Sequence, residues 1–106
     1  MMNLELNYEG FEENLLSRTT NPFSRYCGEG VQYRFKFENR YGASVVKHGF
    51  SYGHEQDLWE LAVIRFGADD RDWEIEYDTD ITDDVEGYLT DEEVRELLGR
   101  IKELPN

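Results

Sequence analysis

The side chains with the most chemical reach in this chain of 106 residues are one cysteine, Cys27, two histidines, His48 and His54, and an unusually dense run of carboxylates. His48 and His54 stand six apart on either side of a glycine-rich turn, a spacing that matches no zinc signature. A Cys27, His48 and acid triad could be drawn from any chain holding one cysteine and two histidines, so its presence carries little weight by itself. Asp78, Asp80, Asp83 and Asp84 supply oxygen ligands of the kind hard cations take. Started at Asp78, however, a calcium loop needs glycine at its sixth place and glutamate at its twelfth, where the chain has Asp83 and Leu89. The expectation is therefore no resident metal and no cofactor. Lys47-His48-Gly49-Phe50-Ser51-Tyr52 echoes the aromatic segments on which RNA-binding sheets stack bases, and Gly28-x-Gly30 lacks the rest of a phosphate loop.

The carboxylates raise a different chemistry. Twenty-four acids against eleven bases give a net charge of −13, beyond the magnitude of roughly 2 to 8 that suffices for solubility in a small domain. Thirteen of those acids and a single base, Arg71, fall within residues 69–93, whereas residues 1–68 hold nine acids and seven bases. Adaptation to high salt would spread the acids along the chain. An ordinary solvated strand face, its edge guarded by charge, would need only a few of them. In an extended chain Glu74, Glu76, Asp78 and Asp80 project to one side about 6.6 Å apart, a repeating negative charge of the kind nucleic-acid phosphates present. Asp69, Asp70, Asp72, Asp83, Asp84 and Glu86 widen the stripe. Such a surface would dock on a basic protein and would repel nucleic acid itself.

These residues need a scaffold, and the apolar pattern describes one. Val31, Tyr33, Phe35 and Phe37 alternate strictly with polar residues, the signature of a half-buried strand. Residues 39–42 supply a turn, and 43–48 return as its antiparallel partner. Residues 58–66 and 73–77 predict a second hairpin with an apolar inner face and an acidic outer one. Near the N-terminus, 4–8 reads as a strand, 11–16 as a second strand or short helix, and 17–30 as a long loop carrying Asn21-Pro22 and Cys27. Thr90-Asp91-Glu92-Glu93 is a capping box, after which Val94, Leu97, Leu98, Ile101 and Leu104 recur at helical spacing. The fold class that follows is α+β: one domain over 1–106, with an antiparallel sheet of four to six strands and a C-terminal helix packed on one face. The N-terminus reads as no secretory signal, no apolar run approaches the roughly 20 residues of a membrane helix, and a lone cysteine fits a reducing compartment. A soluble cytoplasmic protein is expected.

The segments Tyr41-Gly42-Ala43-Ser44-Val45-Val46-Lys47-His48, Ser51-Tyr52-Gly53, Leu58-Trp59-Glu60-Leu61-Ala62-Val63 and residues 82–90 together resemble short uncharacterised proteins encoded by bacteriophages and prophages. The resemblance covers about residues 31–104 and brings no activity or catalytic residue with it. It implies an accessory protein acting in a bacterial host's cytoplasm. The leading expectation is a non-enzymatic protein whose acidic face binds a basic partner, as a nucleic-acid mimic inhibiting a host nucleic-acid-binding or defence protein. One alternative is a small enzyme or ligand-binding module built on the Cys27, His48 and His54 loops. Another is a phage structural or assembly factor.

Overall fold

The computed structural model describes residues 3–20, 30–49, 51–77, 79, 81 and 85–105. Among them an antiparallel sheet of six strands and one C-terminal helix make an α+β fold. The strands are β1 (Leu15–Thr20), β2 (Gly30–Lys36), β3 (Tyr41–His48), β4 (Trp59–Phe66), β5 (Trp73–Ile75) and β6 (Val85–Leu89), and the helix is α1 (Asp91–Lys102). The order β1-β2-β3-β4-β5 follows the chain, and β6 also pairs with β4, so β5 and β6 share the same side of β4.

The two-residue period of β2 decides which face is core. Val31, Tyr33, Phe35 and Phe37 are all buried, and opposite them in register Ala43 and Val45 of β3, then Leu61 and Val63 of β4, complete an apolar layer. Helix α1 covers that layer with Val94, Leu98 and Ile101, each fully buried, while Leu97 and Leu104 pack at the margin, partly exposed. The capping box forms in both directions: the Glu93 amide donates to Thr90 Oγ1 at 3.2 Å, and the Thr90 amide to Glu93 Oε1 at 3.0 Å. At the other end Asn39, in the β2–β3 turn, donates from Nδ2 to the carbonyls of Ile101 and Leu104 at 2.9 and 3.0 Å. The Ile101 carbonyl also accepts from the Leu104 amide at 3.1 Å, so Asn39 adds a side-chain tie between the end of the helix and the β2–β3 turn.

Three expectations need correction. Residues 4–8 alternate like a strand but pair with none among the described residues; instead 3–8 form an irregular strap held mainly by side chains. Residues 12–14 form a 3-10 turn, and β1 then runs to Thr20, so 17–20 belong to the sheet and not to a loop. The ladder of β1 on β2, broken by a bulge between Leu15 and Ser17, supplies the order that local composition hides. The third correction concerns β5, which is only three residues long. The expected segment 73–77 has no buried apolar inner face: Ile75 is 36% exposed and Tyr77, beyond β5, 52%. No helix among the described residues is long and apolar enough to cross a membrane.

Candidate functional site: the acidic edge

The acidic edge is built by β4 and what flanks it. Ile64 pairs with Ile75, Arg65 with Glu74 and Phe66 with Trp73, and the Glu76 amide extends this ladder by donating to the Val63 carbonyl at 2.8 Å. Further along β4 its partner is β6, with Glu86 opposite Leu61 and Val85 opposite Ala62. Glu74, Glu76 and Glu86 therefore stand against Arg65, Val63 and Leu61, alternate residues of one strand, and share one face of the sheet. Successive rungs of this kind are about 6.8 Å apart.

Glu74 and Glu86 are exposed and Glu76 is half-buried. Asp69, Asp70 and Asp72 lie exposed in the β4–β5 turn, where the Asp69 carboxylate accepts from the Arg71 amide at 2.8 Å. Asp78, Asp80, Asp83 and Asp84 lie outside the described residues. Of the expected run, Glu74 and Glu76 do share one face, and Glu86, brought in from a second strand, forms the next rung beside them.

Bases distant in sequence moderate this charge. Lys36 of β2 pairs with Asp70, and Arg65 faces Glu74 across the ladder. Arg34 lies over the Trp73 ring, 5.5 Å from its centroid, and Lys36 over Phe66 at 5.3 Å. Counting charge along residues 69–93 misses these neighbours because sheet order, not chain order, brings them in. Between the row and the turn lies an open depression of about 290 Å³, lined by Arg65, Phe66, Gly67, Asp72, Trp73, Glu74 and Glu76. Three carboxylates and one guanidinium border it, while the Phe66 and Trp73 rings, one residue out of step with them along the ladder, face the other side of the sheet under Lys36 and Arg34.

The histidines are not brought to one site. His48, on the sheet face opposite α1, lines an apolar groove with Val46, Glu60, Ala62 and Trp73. Burial pushes its imidazole below the ordinary value and nearby His54 adds to this, against an opposing pull from Glu60. His54 lies in a second 3-10 turn, His54–Gln56, its Nδ1 2.7 Å from the Ser51 carbonyl, and it borders a separate hollow with Tyr52 and Tyr88. Gly53, at φ 96°, and Tyr88, at φ 59°, take left-handed conformations where the two segments meet. Cys27 lies outside the described residues, and among those described no three His, Cys, Asp or Glu side chains are grouped to hold a metal.

The signal that sequence reasoning passed over is apolar. Ile75 and Tyr77 interleave with Glu74 and Glu76, as in a two-sided strand, yet both sides of the segment are exposed, the apolar one included. Comparison with family models, with curated proteins and with solved structures found no match for this chain, so no family is assigned to it.

Proposed function

We propose that the protein is a non-enzymatic binding module that docks its β4–β5–β6 edge on a basic protein partner. The depression bordered by Asp72, Glu74 and Glu76 carries this reading. It offers an incoming arginine or lysine several carboxylate oxygens, which a guanidinium engages in paired, charge-assisted hydrogen bonds. Ile75 and Tyr77, exposed on the other face of the same segment, add apolar surface at this edge, and Asp69 and Glu86 extend the charge around the depression. A rim of this sign steers a basic partner in and repels nucleic acid.

In its finer form, the partner is a host nucleic-acid-binding or defence protein, met in a bacterial cytoplasm, whose phosphate-binding surface the carboxylate row imitates. The row's regular spacing and the resemblance to bacteriophage proteins support that version. The test is capture from bacterial lysate on immobilised protein, with elution by salt and, separately, by duplex DNA or RNA. A partner released by both fits the mimic. Release by salt but not by nucleic acid leaves a basic partner and removes the mimicry, while a partner indifferent to salt contradicts the docking reading itself.

A further inference from the structure

The strap of residues 3–8 is bound as a ligand would be. Among the described residues its backbone makes no ladder with any strand; side chains elsewhere in the chain take most of its bonded polar groups, while the Glu5 amide donates to Asn3 Oδ1 within the strap and the Tyr8 carbonyl accepts from the Phe11 amide. The Asn3 amide donates to Asp57 Oδ1 at 2.7 Å, and the Asn3 carbonyl accepts from Lys47 Nζ at 2.8 Å. The Tyr33 hydroxyl donates to the Leu4 carbonyl at 2.9 Å and accepts from the Leu6 amide at 3.2 Å. The Asn7 amide donates to Asp91 Oδ2 at 3.0 Å, and its carbonyl accepts from Arg95 Nη1 at 2.9 Å.

Between these clamps the side chains alternate as in any extended peptide. Leu6 is buried in the core; Leu4 and Tyr8 pack against it, the Tyr8 ring 5.9 Å from Tyr33 and 5.8 Å from Phe35. Glu5 points outward to Arg18 at 3.2 Å. The receptor parts are held independently of the strap. Lys47, only 1% exposed, also bonds Asp57 at 3.0 Å and lies 4.1 Å from the Trp59 ring centroid, and Trp59 Nε1 donates to Asp91 Oδ1 at 2.7 Å. Past the strap the chain turns at Gly10, φ 97°, with open space around it.

We infer that the groove between β2, Lys47 and the start of α1 is a peptide-binding site, occupied in cis by the strap and open in trans to an extended peptide with apolar residues at alternate positions and an acid between the first two. It shares no residue with the acidic edge. Displacing the strap breaks no sheet hydrogen bond, and the side-chain donors and acceptors read a backbone of any origin, while the buried Leu6 position sets the specificity. The occupant in cis competes at high effective concentration, so a peptide in trans binds weakly until the strap is loosened.

The experiment uses a labelled peptide of the sequence of residues 3–8 and the full chain, wild type and Leu6→Ser. The peptide should bind the Leu6→Ser chain about tenfold or more tighter than the wild type, since apparent affinity scales with the open fraction. A peptide with serine at both leucine positions should not bind. A folded Leu6→Ser chain that ignores the first peptide overturns the site. Hydrogen exchange on the wild type covers the case in which that variant does not fold. The Leu6 and Asn7 amides should exchange through a local opening, well ahead of the β3 and β4 amides, and adding the peptide should change the exchange of Leu6 and Asn7 alone. Exchange of those amides in step with the core makes the strap inseparable from the fold and overturns the inference equally.

Discussion

Tyr33 shows how much one polar atom organises. Its hydroxyl donates to Leu4 and accepts from Leu6 and from Arg18 Nε at 2.9 Å, while its ring, 5.7 Å from Trp59, lies in the centre of the core. Tyr33→Phe keeps the ring and leaves the strap's buried amide without a partner, which costs about 1 to 3 kcal/mol. Chemical denaturation should show that loss with an unchanged dependence on denaturant concentration. Asp57 is a second such atom. Burial alone would raise its carboxyl, but the bonds from Asn3 and Lys47 outweigh burial and hold it below the usual range, so what it contributes is present above its unfolded value and lost as pH falls through the folded one. His48 acts at higher pH. Its folded value lies below the unfolded one of about 6.5, so the unfolded chain takes up the proton first and stability declines as pH falls from about 7 toward 5. Melting temperatures of the wild type and of His48→Gln across that range should diverge, the wild type dropping more. Parallel curves would mean that the imidazole titrates alike in both states.

At the scale of elements, the parts legible in the sequence are those whose partners are set by a repeating pattern. The alternation of residues 31–37 decides the inner face of β2, and the Thr90 box with Val94, Leu98 and Ile101 decides the start and buried stripe of α1. The strap and β1 were not legible for opposite reasons. Leu4, Leu6 and Tyr8 alternate, but Tyr33, Lys47 and Asp91 bond their backbone where a strand would. Residues 17–20 carry little apolar signal because β1 is an edge strand whose end is exposed. The helix also separates two neighbouring leucines. Leu98→Ala empties a fully buried position and should cost about 2 to 5 kcal/mol, whereas Leu97→Ala, at the partly exposed margin, should cost clearly less. Equal losses in thermal or urea denaturation would place the helix's buried stripe one position off.

Across the whole molecule, the net charge of −13 is plain in the sequence, but its arrangement is not. Glu86 joins Glu74 and Glu76 only because β5 and β6 flank the same strand, and Lys36, Arg34 and Arg65 enter the region only through the sheet order. If the edge is a docking surface, what matters is charge at that edge and not total charge. The central test therefore compares two variants with equal charge change, both acting on exposed residues. One carries Asp69→Asn, Asp72→Asn, Glu74→Gln and Glu86→Gln; the other carries Glu9→Gln, Glu13→Gln, Glu92→Gln and Glu96→Gln. Binding of each to the captured partner is measured at low salt, with thermal denaturation to establish that both are folded. The edge variant should lose about tenfold or more in affinity, at about 1.4 kcal/mol per tenfold, with most of the loss in association rate, while the other stays near wild type. Equal loss in both, or none in the edge variant, would contradict docking through the acidic edge.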